Sequence, residues 1–435
     1  MGRHVTGEES KRAAPAAAGV RALVQFHILS FEGPDLYSRA GGLATRVTGL
    51  ADTLSGLGFE THLWFIGDPS LPGLERRGNR HLQRWSQWVS RHHPGGVYDG
   101  EWGKGADYCA SLPPYLVHRI LAPHVRGGGR AVVMAEEWQT VGAVLHLHAL
   151  LLDAEVRERV TMLWNANNTF GFEQIPWDRL RQAAGITTVS RYMKHRMREV
   201  GVEPIVIPNG LAAEAFDRPD RGAVAALRHR FRDRTVLAKM ARWDPDKRWL
   251  GSIDIVAEMK RQGWRPLLLA RGGCEPHGRE VLQAAGAHGL RVVDRRWSEA
   301  GPKGLLDALQ DVGEADVVNL QSHVDSDARR VLFRGAEAVL ANSGHEPFGL
   351  VGLETMAAGG VACTGCSGED YAVPGQNALV LETGEPDEFL GLFDRLLGDP
   401  DARGRLRRAG RSTARSYAWP EVAHRVLLPR LELAK

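Results

Sequence analysis

Short apolar runs of strand length alternate with amphipathic stretches along most of this chain. In the first half the apolar runs fall at 22–29, 61–66, 131–135, 160–163 and 187–190. Between the first two runs, apolar side chains recur at helical spacing from Leu43 to Leu54, and Gly58 is placed to end that helix. A strand, a glycine-containing loop, a helix and a second strand in this order are typical of the opening of a doubly wound α/β domain.

The same pattern begins again after residue 206. Residues 206–210 read as a strand that ends in a turn, and a helix is predicted over 249–260. Further strands are predicted at 235–240, 267–270, 291–293, 315–320, 338–341, 360–363 and 378–381. Because both halves alternate strands with helices and neither contains a block of strands alone, the sequence predicts two α/β domains. Residues 401–433 read as helical.

Composition narrows the class of protein. A chain of 435 residues is too long for one ordinary core. The net charge of +3, from 55 basic and 52 acidic residues, gives no global reason to expect a nucleic-acid partner. No apolar run reaches the roughly 18 residues of a membrane span, and the first 20 residues read as a disordered leader rather than a signal peptide. Four cysteines do not make a disulfide framework, so we expect a cytoplasmic protein.

Several patterns favour structural interpretations. Residues 70–115 show no clear period, and we interpret them as a substrate-facing excursion rather than a packed element. Cys363 and Cys366 have no second Cys/His pair at suitable spacing, and Asp325 and Asp327 are interpreted as part of a polar loop. We therefore expect no metal site. The arginines between 403 and 415 are interpreted as a solvated helix face, with contact to anionic lipid as the alternative.

The densest candidate chemistry lies between Glu346 and Glu354. A Pro-Phe-Gly turn at 347–349 separates the two acids and opens an apolar run that is typical of a helix. A helix N-terminus presents unpaired N–H groups and the positive end of a dipole, which together hold phosphate. Glu354, one to two turns into that helix, can accept hydrogen bonds from the diol of a ribose. Glu346 would face the group attached to the phosphate, so the segment suits a nucleotide sugar.

Two further segments offer groups for a diphosphate. Arg242 follows a predicted strand end, and Lys247 comes five residues later. Ligands of open α/β sheets bind beyond the carboxyl ends of the strands, where a guanidinium fork and an ammonium group suit a diphosphate. Gly41 and Gly42 precede the first predicted helix, so backbone N–H groups there can approach phosphates as well.

These segments resemble the retaining glycosyltransferases of the GT-B fold, the class that includes glycogen, sucrose and trehalose synthases. The segment from Glu346 to Glu354 is similar to the E-x7-E signature of that class. Arg242 and Lys247 are similar to its Arg…Lys motif, which grips the donor diphosphate. Residues 38–44 resemble the Gly-Gly-Leu loop of glycogen and starch synthases, and residues 137–140 resemble their His-Asp-Trp segment with a glutamate in place of the aspartate.

The resemblance implies an architecture of two doubly wound Rossmann-like domains facing a cleft. It implies a leader at 1–20 and an acceptor-side domain at 21–205. A nucleotide-sugar-binding domain would occupy 206–405. The remaining helical segment, 406–435, is expected to pack back toward the N-terminal domain.

The resemblance also implies roles for particular residues. The implied donor-binding residues are Gly41, Gly42, Arg242, Lys247, Phe348, Gly349, Leu350, Val351 and Glu354. The implied catalytic residues are Glu346, Arg242, Lys247 and Asn165. The implied acceptor-side residues are Glu137, Trp138 and Asn167. One position departs from the family pattern: glycogen synthases have a histidine that faces the transferred sugar where this chain has Asn165, which can hydrogen-bond a hydroxyl but carries no charge.

The reaction implied by the resemblance is transfer of a hexose, with glucose favoured, from a UDP-, ADP- or GDP-hexose. The acceptor would be the hydroxyl of a carbohydrate or another molecule, and the anomeric configuration would be retained without a metal or cofactor. Two alternatives stay open. One is a GT-B protein that binds a nucleotide sugar without transferring it, and the other is an epimerase or phosphorylase on the same frame. The base, the sugar, the acceptor and the oligomeric state stay open as well.

Overall fold

The computed structural model describes residues 23–433, so the predicted leader lies outside the described residues. The described chain folds as two compact units. We call residues 23–210 together with 419–433 the N-terminal unit, and Leu211–Ala418 the C-terminal unit. Each unit is built around one sheet whose strands are mainly parallel.

The N-terminal unit contains an eight-stranded sheet. Its strands are β1 (Val24–Leu29), β2 (Glu60–Ile66), β3 (Leu74–Arg77), β4 (Arg80–Trp85), β5 (Arg130–Glu136), β6 (Val160–Ala166), β7 (Gly185–Thr188) and β8 (Ile205–Val206). They lie in the order β3-β4-β2-β1-β5-β6-β7-β8, and every pairing is parallel except that of β3 with β4. The five strands predicted in the first half are confirmed, with ends that move by a few residues.

Helices of the N-terminal unit connect these strands. The α-helices are Gly42–Gly56, Gln87–Ser90, Glu101–Leu116, Ala122–Arg126, Val141–Asp153, Trp177–Ala183, Arg191–Arg198, Trp419–Val422 and Leu428–Arg430. Shorter or wider turns are the 3-10 helices Trp138–Thr140, Arg157–Arg159 and Phe172–Gln174, and the π-helices Val117–Leu121 and Ala423–Leu427. The helix Arg191–Arg198 begins where the hydroxyl of Ser190 accepts a hydrogen bond from the N–H of Met193.

The interpretation of residues 70–115 as an irregular excursion is wrong. β4 pairs in parallel with β2, so the sheet extends through this region, and β3 forms its edge. The helix Glu101–Leu116 packs inward, with Tyr108 and Leu112 fully buried. Short strands rich in polar side chains, and a helix that contains Pro113 and Pro114, gave no readable period.

The C-terminal unit contains a seven-stranded parallel sheet. Its strands are β9 (Thr235–Met240), β10 (Pro266–Arg271), β11 (Val292–Arg295), β12 (Val317–Leu320), β13 (Ala338–Ala341), β14 (Ala362–Thr364) and β15 (Leu379–Val380). Their order is β11-β12-β10-β9-β13-β14-β15, so β9 lies at the centre between β10 and β13. All seven coincide with predicted apolar runs, and the central strands β9, β10, β12 and β13 are buried along most of their length.

The helices of the C-terminal unit include the one predicted over 249–260. They are Arg221–Arg230, Trp249–Arg261, His277–Ala287, Gly301–Ala308, Ser326–Gly335, Leu350–Ala357, Pro386–Gly398 and Ala402–Ser416, with 3-10 turns at Ala213–Phe216 and Pro245–Lys247. The Asp325 carboxylate caps the helix Ser326–Gly335 by accepting the N–H groups of Asp327 and Ala328, each at 3.0 Å. This carboxylate therefore has a structural role.

The boundaries between the units differ from the predicted ones. The first crossing lies at Gly210 rather than at residue 205, and the second lies at Ala418 rather than at 405. The helix Ala402–Ser416 stays in the C-terminal unit because Leu406 is buried in that unit's core. Trp419 is the residue at which the chain joins the core of the N-terminal unit. Within residues 23–433, no helix has the length and apolar character needed to cross a bilayer.

Candidate functional site

Lys247 and Glu346 form an ion pair at the carboxyl edge of the sheet in the C-terminal unit. Lys247 follows β9 and Glu346 follows β13, and these two strands are parallel neighbours. The Lys247 Nζ atom lies 2.6 Å from Glu346 Oε2, although the two residues are 99 positions apart. Their side chains remain 20% and 17% exposed, so a ligand can reach both charges.

The loop that carries Lys247 has a defined shape. The Asp244 carboxylate accepts the N–H of Asp246 at 2.9 Å and starts the 3-10 turn Pro245–Lys247. Arg248 ends the turn in the left-handed region with φ of 49°, and its guanidinium donates to the carbonyl of Thr383. These contacts fix the backbone on both sides of Lys247. The conformation of the loop therefore sets the direction of the Lys247 side chain.

Arg242 lies in the same loop with a more exposed side chain. Its carbonyl accepts a hydrogen bond from the Trp249 indole at 2.7 Å, which anchors the backbone. The guanidinium is 61% exposed, and its Nη2 atom lies 4.0 Å from Asp244 Oδ2. A surface ion pair of this length contributes little to stability, so the guanidinium is available to an anionic ligand.

The helix Leu350–Ala357 begins beside this ion pair. Gly349 precedes it with φ of +82°, a conformation that favours glycine. A Cβ atom at Gly349 would lie only 2.6 Å from Glu369 Cγ and 2.9 Å from the Tyr371 hydroxyl oxygen. The Phe348 ring is buried against aromatic neighbours, so only the backbone of Phe348 is left to contact a ligand. The first turn of the helix has backbone N–H groups that suit an anion.

Glu354 lies one turn into that helix and has a basic neighbour. Its Oε2 atom is 3.5 Å from Arg329 Nη1, and its side chain is 17% exposed. Burial raises the pKa of Glu354, and the charge of Arg329 opposes that shift. One side of the Glu354 carboxylate is therefore paired with Arg329, and part of it is accessible to solvent. It can accept hydrogen bonds from the hydroxyl groups of a ligand.

Two functional-site candidates of the C-terminal unit were missed in the sequence. Glu369 is 5% exposed, and burial, followed by the charge of Glu346, raises its pKa to about 8. Ser367 connects the two acids, since its hydroxyl accepts the Glu346 N–H at 2.9 Å and lies 3.5 Å from Glu369 Oε2. Lys239 is fully buried, and burial lowers its pKa to about 7. The polar residues that follow β14 were the available signal for Glu369.

In the N-terminal unit, the N-terminus of the helix Gly42–Gly56 already binds a carboxylate. Glu32 Oε2 accepts the N–H of Gly41 at 2.9 Å and the N–H of Ala44 at 3.1 Å. The Tyr98 hydroxyl donates to the other carboxylate oxygen at 2.7 Å. Glu32 is 4% exposed, so its side chain is a buried part of this loop. The Gly41 N–H that was predicted to approach donor phosphates is therefore taken by a side chain of the chain itself.

Asn165, the predicted sugar contact, lies in a buried polar network. Asn165 is 2% exposed, and its amide donates to Glu136 at 2.9 Å and accepts from the Thr187 hydroxyl at 2.9 Å. Glu136 in turn accepts from Arg46 at 3.0 Å and from the Asn167 amide at 2.9 Å. These contacts orient the Asn165 amide inside the N-terminal unit.

Glu137 is the strained residue of this region. Its φ of 69° and ψ of 164° are values that residues other than glycine seldom adopt. The Asn167 N–H donates to its carboxyl group at 2.6 Å, and the Trp164 indole donates to its carbonyl. Burial, with a further contribution from the Glu136 charge, raises the pKa of Glu137 to about 8. Strain of this kind is concentrated at functional sites.

Trp138 lines a cavity of about 460 Å³ within the N-terminal unit. Two other aromatic side chains, Phe31 and Trp102, line it as well, and the Trp102 and Trp138 rings meet edge to face at 6.3 Å. Trp102 is 77% exposed, so the cavity opens to solvent. Its lining is mainly apolar, and Glu101 and Gln139 supply polar groups.

The predicted residues divide between the two units. Lys247 and Glu346 are in direct contact, and Arg242 lies in the same loop as Lys247. The helix from Leu350 to Ala357, with Glu354, follows Glu346 in the same unit. The remaining predicted residues, namely Gly41, Gly42, Glu137, Trp138, Asn165 and Asn167, belong to the N-terminal unit.

Comparison with known families matches both units. The model of glycosyl transferases group 1 matches residues 232–413, and that of glycosyltransferase family 4 matches residues 40–215. D-inositol 3-phosphate glycosyltransferase of Frankia alni is 32% identical over 128 residues, which are 29% of this chain and 31% of that protein. The enzyme of the same name from Acidothermus cellulolyticus is 30% identical over 149 residues, 32% of this chain and 33% of that protein. The matches thus span about a third of these relatives.

Solved structures match over almost the whole chain. Sucrose-phosphate synthase from Thermosynechococcus elongatus covers 94% of this chain and 100% of its own, with 18% identity and a TM-score of 0.66. The catalytic domain of starch synthase IV from Arabidopsis thaliana, bound to ADP and acarbose, covers 95% and 99%, with 13% identity and a TM-score of 0.67. A UDP-forming trehalose-phosphate synthase from Burkholderia xenovorans, in complex with glucose-6-phosphate, covers 94% and 100%, with 14% identity and a TM-score of 0.64. These likenesses show the fold, and the family models match both halves of the chain. The chain belongs to the group 1 glycosyltransferases of the GT-B fold.

Proposed function

We propose that this protein transfers a hexose from a nucleoside diphosphate sugar to an acceptor hydroxyl, with retention at the anomeric carbon. The observation that carries the proposal is the 2.6 Å ion pair between Lys247 and Glu346 beside the N-terminus of the helix Leu350–Ala357. This arrangement offers positive charge for a diphosphate and a carboxylate for a sugar at the carboxyl edge of one sheet, where open α/β folds bind ligands.

The proposed chemistry breaks the bond between the anomeric carbon and the diphosphate oxygen. A new bond forms between that carbon and the acceptor oxygen, and the acceptor's hydroxyl proton is released to the diphosphate or to solvent. Lys247 and Arg242 stabilise the negative charge that develops on the departing diphosphate. Glu346 holds sugar hydroxyls and stabilises positive charge on the ring, while Glu354 holds the ribose. The positive groups needed at the diphosphate all come from the protein, so the proposed reaction is independent of a metal.

The ion pair keeps both charges satisfied before the donor arrives. When a nucleotide sugar binds, Lys247 exchanges Glu346 for the diphosphate, and Glu346 exchanges the ammonium group for sugar hydroxyls. Each charge leaves one partner for another in a partly buried place, which limits the cost of rearrangement. Neighbours that bind ADP, or that are named UDP-forming, support a nucleoside diphosphate as the leaving group.

The acceptor is proposed to bind in the N-terminal unit near Glu137 and Trp138. With a pKa of about 8, the Glu137 carboxyl is largely protonated at pH 7 and can donate a hydrogen bond to an acceptor oxygen, or exchange a proton with it. The aromatic cavity beside Trp138 suits the apolar face of a sugar ring or an apolar aglycone. The name of the relatives, D-inositol 3-phosphate glycosyltransferase, makes a polyol phosphate the first acceptor to test.

A panel of donors tests this proposal. Wild type and the Arg242→Ala/Lys247→Ala double variant are heated with UDP, ADP, GDP and their glucose and mannose conjugates. A ligand that binds only the folded protein stabilises it by about 2.7 kcal/mol at a hundredfold excess over its dissociation constant. We expect one base to raise the melting temperature of wild type but not that of the double variant. If none of the nucleotides changes the wild-type melting temperature, the proposal is wrong.

Binding without transfer is the second candidate function. The occupied helix N-terminus at Glu32 favours it, because one predicted phosphate contact is already used within the protein. Release of nucleoside diphosphate is therefore measured with glucose, glucose 6-phosphate and inositol 3-phosphate as acceptors. Turnover with any of them supports the transferase, whereas donor binding with no turnover on any of the three supports the binding protein.

A further inference from the structure

Three histidines lie side by side across three neighbouring strands of the N-terminal unit. His27 on β1 pairs in register with His62 on β2, and His62 pairs with His81 on β4. The rings stack, with centroids 4.7 Å apart for His27 and His62 and 4.3 Å apart for His62 and His81. His62 and His81 lie near the amino ends of their strands, so they belong to the opposite sheet edge from the loops that follow the strands.

A carboxylate completes a compact group of possible metal ligands. Glu60 precedes His62 by two positions, so both side chains point to the same face of the sheet. Its Oε1 atom lies 3.3 Å from His62 Nε2 and 3.7 Å from His81 Nε2. The three ligand atoms all lie within 4.8 Å of one another. Tetrahedral Zn²⁺ with bonds near 2.0–2.1 Å separates its ligand atoms by roughly 3.4 Å, so the present spacing needs only small side-chain adjustments.

One of these ligand atoms is buried and unsatisfied. His81 is 7% exposed, and its Nε2 atom has no hydrogen-bond partner among residues 23–433, although it faces Glu60. Buried polar atoms are nearly always paired, and leaving one unpaired lowers stability. A metal ion bound to this nitrogen removes that cost. This observation is independent of the spacing of the three ligand atoms.

The residue types also suit a metal. Two imidazoles and one carboxylate are side chains that bind zinc in proteins.

The surroundings leave an entrance and fix the carboxylate. The Glu60 side chain is 43% exposed, which gives an ion a path from solvent and leaves space for a water ligand. The Gln25 amide donates to Glu60 Oε2 at 3.0 Å and so orients the other oxygen toward the histidines. The nearby positive charge of Arg76 opposes a cation here, and the charge of Glu60 offsets it.

We propose that Glu60, His62 and His81 bind one Zn²⁺ ion, with water as the fourth ligand, and that the ion ties β4 to β2. Two imidazole ligands favour zinc over magnesium or calcium, which prefer sets of oxygen ligands. The ion secures the edge of the sheet, because β3 and β4 join the rest of the sheet only through the pairing of β4 with β2.

The test uses the full chain without a histidine tag, freed of metal by a chelator. It is titrated with Zn²⁺, with Mg²⁺ as a comparison, and with Co²⁺, whose visible absorption reports tetrahedral coordination. We expect one Zn²⁺ per chain, a higher melting temperature with Zn²⁺ and none of this rise with Mg²⁺. These readouts do not depend on the proposed transferase activity. Absence of stoichiometric Zn²⁺ binding in wild type would overturn the proposal.

Variants locate the ion. Glu60→Gln keeps the shape of a partly exposed side chain, and we expect it to weaken Zn²⁺ binding by at least about tenfold. His81→Gln should do the same; if that variant does not fold, Glu60→Gln decides the test alone. His288→Gln is the control, because His288 is an exposed histidine of the C-terminal unit beside Asp254, and it should bind as wild type does. Wild-type affinity in Glu60→Gln would place any bound ion elsewhere and contradict the proposal.

Discussion

Each unit has a helix preceded by a glycine, and the two helix N-termini differ in what occupies them. In the N-terminal unit, Glu32 fills the space before the helix Gly42–Gly56 and accepts the backbone N–H groups there. In the C-terminal unit, Gly349 precedes the helix Leu350–Ala357 with no side chain to cap it, and the partly exposed Lys247–Glu346 pair lies in the loops beside it.

The difference shows what a glycine before a helix does and does not indicate. Both sequences are compatible with an anion at the helix N-terminus, and in the N-terminal unit that anion is a carboxylate of the same chain. A glycine motif therefore predicts the anion but not its source. The C-terminal unit combines accessible cations with a helix N-terminus that no side chain caps.

Loss of Lys247 should have the largest effect. We expect Lys247→Ala to lower the rate of hexose transfer by about 100–1,000-fold, because one stabilising group at the leaving diphosphate is removed. The melting temperature should change little, since the residue is partly exposed. Release of nucleoside diphosphate from the donor identified in the panel is the measurement.

The matched control for that experiment is Lys303→Ala. Lys303 is an exposed lysine of the same unit that pairs with Glu299 and Asp307, four residues before and after it. Its loss should leave transfer unchanged. If Lys247→Ala transfers hexose as fast as Lys303→Ala does, Lys247 has no part in the reaction.

The second largest effect should be a dependence of stability on pH, because each unit buries one carboxyl group with a pKa of about 8. For Glu369, the folded protein binds the proton more tightly than the unfolded chain, whose pKa is near 4.5. Its contribution to stability is therefore complete below pH 4.5 and is lost as the pH rises through 8. The loss is at most about 1.4 kcal/mol per pH unit in that window.

Urea unfolding at pH 5 and pH 8 checks this prediction. We expect Glu369→Gln to lose less stability than wild type between the two values, because the amide does not titrate. Glu137→Gln should behave in the same way in the N-terminal unit. An unchanged pH dependence in Glu369→Gln would mean that Glu369 is ionised in the folded protein at pH 7.

Alanine substitutions at the two helix starts compare the two places directly. Gly349→Ala should lower the free energy of unfolding by about 1–3 kcal/mol, because its φ of +82° and the nearby Glu369 and Tyr371 side chains leave no room for a methyl group. Gly41→Ala should change it by less than about 0.5 kcal/mol, because its φ of −162° is ordinary extended backbone and a Cβ atom there meets nothing within 4 Å. If urea unfolding gives the same loss of stability for both variants, the two helix starts do not differ in their need for glycine.

Removal of Glu32 should have a small effect on stability, and it tests the comparison most directly. Glu32→Ala should cost about 1 kcal/mol of stability, the usual effect of losing a helix cap. Inorganic phosphate should then stabilise the variant more than wild type, since the freed N–H groups can bind it. Glu32→Gln, which keeps a neutral acceptor, is the control and should gain less from phosphate. No difference between the three proteins in phosphate would show that these N–H groups do not bind external anions.

Most strands could be predicted from the sequence because a parallel strand covered on both faces leaves an uninterrupted apolar run. β3 and β4 gave no such run, since one is an edge strand and the other carries buried polar groups such as Arg84. Arg84 is held by Asp35, 49 positions away, and no local pattern reveals a partner at that distance.

The same reasoning separates the predicted and missed parts of the candidate site. Lys247 and Glu346 follow strands that the apolar pattern had already located, and their contact follows from the pairing of β9 with β13. Glu32 and Glu369 were missed because their importance depends on which backbone or side chain folds against them. Asn165 was assigned to the sugar because its position in the chain fits a family histidine. Its contacts with Glu136 and Thr187 on the neighbouring strands depend on strand pairing, which no local pattern reveals.

Trp419 has a consequence for the order in which the molecule is completed during synthesis. Its ring fills space beside Gly49 and Gly210, and it joins a core formed largely by residues before 210. A ribosome that adds about 5–20 residues per second needs roughly 10–40 s to proceed from Gly210 to Trp419. During that interval the core of the N-terminal unit lacks Trp419, while the C-terminal unit is being translated. The domain whose synthesis begins first is therefore completed last.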